Sequence, residues 1–101
     1  MSGIVIRDWK PLRRNALVGF VKVEFPSGMI MSDVTILTSE RGAWASPPSK
    51  PQITKEGVQL KDANGKAKFT PIIEFRDKAT RELWSNSIIA ALRRAHPEAL
   101  S

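Results

Sequence analysis

Residues 17–25, Leu-Val-Gly-Phe-Val-Lys-Val-Glu-Phe, are apolar at nearly every position before Lys22 and Glu24, the pattern of a central strand. Gly19 within it predicts a bulge or a close approach of another backbone. Pro26-Ser27-Gly28 supplies a turn, and residues 29–38 resume as a strand. Period-two alternation points Ile30, Val34 and Ile36 into the core, with Ser32 and Thr38 completing that row. The two strands and their short turn make an antiparallel hairpin. Upstream, Ile4-Val5-Ile6 reads as a first strand, and residues 8–15 as a connection or a second piece of strand.

A second hairpin is predicted around Asn64-Gly65, between residues 58–63 and 66–75. A two-residue loop there sets Ala63 opposite Lys66, Leu60 opposite Phe69 and Lys61 opposite Lys68. Leu60, Ala67 and Phe69 then share one side, and Lys61, Lys66 and Lys68 the other. The last element is a helix over residues 77–95. Asp77 is its N-cap, and Trp84, Ile88, Ala91 and Ala95 form an apolar stripe widened by Leu83 and Leu92. Arg93 and Arg94 in the last turn complement the helix dipole, and Pro97 ends the pattern. No internal repeat is evident. Strands first and helix last predict an α+β fold: a small antiparallel β-sheet built from hairpins, with one C-terminal α-helix packed on one face.

The length of 101 residues fits one domain, residues 1–101, whose modest core would gain from a partner chain. The absence of Cys excludes disulfides, thiol nucleophiles and Cys-ligated zinc. The opening MSGIVIRDWK has no signal-peptide apolar block, and no apolar run is long enough to span a bilayer, so a soluble, cytoplasmic protein with no membrane association is expected. Sixteen Lys and Arg against ten Asp and Glu give a net charge of +6, a surplus that attracts polyanions through counterion release.

Catalytic patterns are missing. The only His, His96, sits at the end of the helix, and there is neither a Ser with a matching His and Asp nor a Gly-rich phosphate loop. A protein that is not an enzyme and needs no cofactor or metal is expected. The cations are more informative. Lys61, Lys66 and Lys68 cluster on the second hairpin, where they would also block edge-to-edge aggregation. Arg7, Lys10, Arg13 and Arg14 form a group near the N-terminus, close in sequence to Trp9. The run Gly42 to Pro51, GAWASPPSKP, is held extended by its prolines and carries Lys50 just after Arg41. Trp44 is expected beneath a crossover that wraps the sheet edge, the alternative being a ring presented for base stacking. Trp84 is core by its helical spacing, and Trp9 stays open between the two roles.

The path Asp33-Val34-Thr35-Ile36, Arg41-Gly42-Ala43-Trp44-Ala45, Pro48-Ser49-Lys50 and Pro71-Ile72-Ile73 resembles the SpoVG family (stage V sporulation protein G) over residues 17–92. In that family a strand with a His-Asp-hydrophobic pattern leads to Asn-Gly, an aromatic-containing strand, Met-Pro-Ser-Lys, a variable region, Pro-Ile and a C-terminal helix. Here Ser32 stands in place of the usual His, Thr35 near a favoured Arg, and Pro47 in place of Met. The stretch between Lys50 and Pro71 is longer. The resemblance implies a small α+β domain, commonly dimeric, that binds DNA and RNA in bacterial regulation.

Charge and resemblance together lead to the expectation of a nucleic-acid-binding regulatory protein (DNA or RNA), acting as a homodimer or higher homo-oligomer. The residues expected to meet phosphates are Lys50, Lys61, Lys66 and Lys68, then Arg41, Arg13 and Arg14. Four strands and a helix also fit a Whirly-like single-stranded DNA-binding protein that lays bases across a sheet. A third reading is a protein-interaction or assembly module whose basic face only confers solubility.

Overall fold

The computed structural model describes residues 3–100. In chain order these form β1 (Val5–Arg14), β2 (Leu17–Glu24), β3 (Ile30–Ser39), β4 (Gly42–Ser46), β5 (Ser49–Pro51), β6 (Phe69–Pro71) and α1 (Lys78–Ala95). The first four strands make an antiparallel sheet in the order β1-β2-β3-β4, and β5 pairs with β6 in a separate two-stranded ladder. Helix α1 packs across one face of the four-stranded sheet, against β4 and β1. The α+β architecture is the one the sequence predicts. Among the described residues, no helix is long and apolar enough to cross a membrane.

The core lies between helix and sheet. Val18, Val21 and Val23 of β2 and Val34 and Ile36 of β3 meet Trp84, Ile88, Ile89 and Leu92 of α1. Trp84 is buried as expected, its ring tilted against Phe75 with centroids 5.3 Å apart. Trp9 is half-buried against the core, with its ring centroid 6.4 Å from that of His96.

Residues 8–15 are not a connection: β1 runs unbroken through most of them, with register shifts after Ile6 and after Pro11. Gly19 is a close approach. A Cβ there would lie 2.5 Å from the Lys10 carbonyl oxygen and 2.7 Å from Trp9 Cη2, so only glycine lets β1 lie this near β2. The first hairpin closes through Phe25 N–H to the Met29 carbonyl at 2.9 Å, with Gly28 at φ +92°.

The inward row of β3 differs from simple alternation. Val21 pairs with Val34 and Val23 with Met31, so Ser32 and Asp33 together oppose Lys22. This is a bulge, with Asp33 at φ +59°. The extra residue inverts the parity: Met31 is buried and Ile30 is 49% exposed, where alternation puts Ile30 in the core. Ser32 is exposed, and Thr38 is only half-buried.

On α1 the buried stripe is Trp84, Ser85, Ile88, Ile89, Ala91 and Leu92. Leu83 and Ala95, expected within it, are exposed: Leu83 lies five residues before Ile88, round on the far side of the helix, and Ala95, although on the Ile88 side, is the last helical residue. Asp77 is the N-cap, accepting from Thr80 N–H at 2.7 Å, and this bond holds its carboxyl below the usual range. Ser85 has a role that spacing did not reveal. Its Oγ accepts the backbone N–H of Ala45 at 2.8 Å, so the helix satisfies the outer edge of β4.

Candidate nucleic-acid interface

The chain between β5 and β6 forms a three-armed insert. One arm is the β5–β6 ladder. The second is a hairpin through the Ile53–Gln59 bridge, and the third a hairpin through the Lys61–Ala67 bridge. The arms meet at a closed ring of backbone hydrogen bonds. Gln52 N–H donates to the Lys68 carbonyl, Lys68 N–H to Leu60, and Leu60 N–H to Gln52, all at 2.8–2.9 Å.

The two hairpins are built alike at a spacing of eight residues. Thr54 N–H donates to the Val58 carbonyl and Asp62 N–H to Lys66; Gly57 N–H donates back to Thr54 and Gly65 N–H to Asp62. The first side chain of each turn, Thr54 Oγ1 or Asp62 Oδ1, accepts the N–H four residues on. Gly57 and Gly65 adopt φ +83° and +80°. A short repeat is therefore present, although none is evident in the sequence. It is carried by backbone geometry and turn glycines, while the remaining side chains diverge.

The same geometry corrects the predicted hairpin. Lys61 pairs with Ala67, not Lys68, and Leu60 meets Lys68, not Phe69. Regular β6 is confined to Phe69–Pro71. A two-residue loop needs positive φ at both Asn64 and Gly65. Here Asp62 Oδ1 instead accepts both Asn64 N–H (2.9 Å) and Lys66 N–H (3.0 Å), fixing a three-residue loop in which Gly65 alone is left-handed. The single lysine face is thereby split. Lys61 sits opposite Ala67, while Lys66 and Lys68 occupy the alternate positions of the facing segment.

Of the seven candidate cations, Lys50, Lys61, Lys66 and Lys68 all lie on the insert, together with Lys55. These five lysines are exposed, and none forms an ion pair with another described residue. The insert holds two carboxylates, Glu56 and Asp62, and one Asp62 oxygen is already engaged by its own turn. Arg41 and Arg14 sit at the β3–β4 and β1–β2 turns, which share the end of the sheet away from the β4–β5 link. Arg13 serves the fold, since its Nη2 donates to the Ala99 carbonyl at 3.0 Å and ties the C-terminal segment to β1. The seven candidates thus form two groups, not one. Arg7, at the start of the N-terminal basic group, is paired with Glu24 at 3.0 Å.

Trp44 is not tucked beneath a crossover. Its neighbour Ala45 faces the core opposite Ile36, so Trp44 projects from the uncovered face of the sheet, 38% exposed. One row across that face runs Arg14, Leu17, Leu37, Trp44, and the next Lys10, Phe20, Thr35, Ser46. An open groove of about 760 Å³ separates the insert from the first turn of α1, between Pro48, Phe69, Phe75 and Arg81. Among the described residues, no three His, Asp or Glu stand together as a metal site. Comparison with protein-family models, with curated proteins and with solved structures gives no match to this chain.

Proposed function

We propose that this protein is a non-enzymatic nucleic-acid-binding protein that takes up phosphates with the lysines of its three-armed insert. The observation that carries this reading is the charge of the insert: Lys50, Lys55, Lys61, Lys66 and Lys68 are exposed, and among the described residues no carboxylate pairs with them. An ammonium cluster of this kind repels itself and is relieved by a polyanion, whose condensed counterions are released on contact. The resemblance to the SpoVG family supports the same reading, including a bacterial regulatory role, a cytoplasmic location and a dimer. Phosphate contacts supply affinity with little base discrimination.

The test is an anisotropy titration of labelled DNA and RNA oligonucleotides over a series of salt concentrations. Affinity is expected to fall linearly with salt on logarithmic axes. Replacing Lys61, Lys66 and Lys68 together with Ala is expected to flatten the slope by about two to three units, roughly one per lost phosphate contact. Absence of binding, or affinity indifferent to salt, would refute the proposal.

A second reading, a protein-assembly module, draws on a different observation. Ile53, Val58, Leu60 and Phe69 of the insert, and Ile72 just after it, are all 40% to 62% exposed. A pull-down whose partners survive nuclease treatment would favour it. A dimer is compatible with either reading and is read directly by light scattering.

A further inference from the structure

We infer that the uncovered sheet face is a second contact surface that selects single-stranded nucleic acid, with Trp44 as its stacking platform. This rests on the proposed function and narrows its substrate class.

The face combines two features. Trp44 and Phe20 project from strands on either side of β3, with Leu37 beside Trp44 in the same row. Lys10 and Arg14 occupy the corresponding rows on β1, at the far edge. Aromatic surface on one side and cations along the other is the arrangement a single strand requires, with bases against rings and the backbone along charge. A duplex keeps its base faces stacked internally and cannot use Trp44 in this way. Of the carboxylates on this side of the sheet, Glu24 is held by Arg7 at 3.0 Å, and Asp8 meets Lys10 only in an exposed pair at 4.0 Å, which leaves Arg14 as the cation farthest from them.

A second copy of the chain is the weaker occupant. Face-to-face sheet packing would take Lys10, Arg14 and Lys22 out of water; Asp8 faces Lys22 and lies 4.0 Å from Lys10, but the Arg14 row holds no acid. A polyanion supplies the missing charge and leaves the rim wet. The elements fixing the platform are also in place. Trp44 is flanked by Ala45, whose N–H is held by Ser85 at 2.8 Å, and its strand pairs with β3 from Thr35 to Ser39.

The experiment uses the full chain with labelled single-stranded dT20, single-stranded U20 and a 20-base-pair duplex. Three variants are compared with the unaltered protein: Trp44→Ala, Trp44→Phe and the exposed pair Lys10→Glu with Arg14→Glu. Single strands are expected to bind more tightly than duplex. Trp44→Ala is expected to weaken single-strand binding by about 5- to 150-fold, the range that losing one stacked base carries, while duplex binding is unchanged. Trp44→Phe should retain most of the affinity, and the charge-reversal pair should weaken single-strand binding without disturbing the fold.

Tighter duplex binding would overturn the inference. So would full single-strand affinity in both Trp44→Ala and the charge-reversal pair; if Lys61, Lys66 and Lys68 still matter in that case, the proposed function survives alone. Failure to bind any of the three ligands would remove both. A shift from dimer to monomer in Trp44→Ala with unchanged single-strand affinity would assign the face to self-association and overturn the inference as well.

Discussion

Replacing Ser85 with Ala tests the joint on which the geometry of β4 depends. Ser85 is buried on α1, and its Oγ accepts the N–H of Ala45, itself 1% exposed, at 2.8 Å. The substitution removes one hydrogen bond and leaves that amide without a partner in a dry position, which costs about 1–3 kcal/mol. Alanine's better helix propensity returns about 0.5 kcal/mol. The net loss of about 0.5–2.5 kcal/mol corresponds to a fall in Tm of roughly 2–20 °C for a domain of this size. The assay is urea unfolding followed by circular dichroism, with the slope m checked for constancy so that the midpoint reports stability. Ser87→Ala is the internal control. Ser87 Oγ donates to the Leu83 carbonyl within the same helix at 2.7 Å, and its loss should be neutral or slightly stabilising. If Ser85→Ala is as stable as Ser87→Ala, the helix does not hold the β4 edge and the position of Trp44 loses its support.

Three further outcomes are expected. Gly19→Ala would force a Cβ to within 2.5 Å of the Lys10 carbonyl oxygen and should destabilise the fold by about 1–3 kcal/mol in the same unfolding assay. Asp33→Gly should be neutral or stabilising and Asp33→Val destabilising by about 1–3 kcal/mol, because the bulge holds this position at φ +59°. Asp77→Ala should lower Tm near neutral pH. The Asp77 carboxyl is held below its ordinary value of 3.8 by the Thr80 hydrogen bonds, so its contribution is present above that value and vanishes as pH falls through the lowered one. The Tm difference between wild type and variant should therefore close in acid, and a difference constant down to the acid transition would contradict the capping role.

What the sequence made legible follows from where periodicity governs. The strand over residues 17–24, the helix over 78–95 and its Asp77 cap are set by local patterning and capping chemistry. The inward row of β3 departs from expectation because one residue, Asp33, takes a left-handed conformation, and period-two reasoning makes no allowance for an inserted residue. The 61–67 hairpin is shifted by one position for a comparable reason. Asn64-Gly65 signals a two-residue loop, but the Asp62 carboxylate two residues earlier claims the turn amides first. An aspartate at that offset was the available signal. The exposure of Trp44 follows from parity once Ala45 is known to face the core, yet the prolines that follow make the segment read as a wrapping loop. Which cations share a region was beyond sequence reasoning, since Arg14 and Arg41 reach the same end of the sheet only through the order of strands β1 to β4.

The insert has a thermodynamic character of its own. Residues 52–68 are joined by a ring of three backbone bonds and two turns, while Ile53, Val58 and Leu60 remain exposed. Two-stranded elements without a buried apolar face are marginal in water, so this unit should open at a free energy far below that of global unfolding. Hydrogen exchange reads the difference directly. The amides of Gln52, Leu60 and Lys68 should exchange orders of magnitude faster than those of Val21 and Ile36, which lie in the fully packed core. Adding a single-stranded oligonucleotide should slow exchange in the insert if its lysines hold phosphates, because a ligand that binds only the closed form stabilises that form by mass action. Insert amides already as slow as the core in the free protein would contradict this account of the insert. Dilution would then decide: protection lost at low concentration is owed to a second copy, and protection that persists shows that backbone bonds and turns hold the insert closed without any buried apolar face.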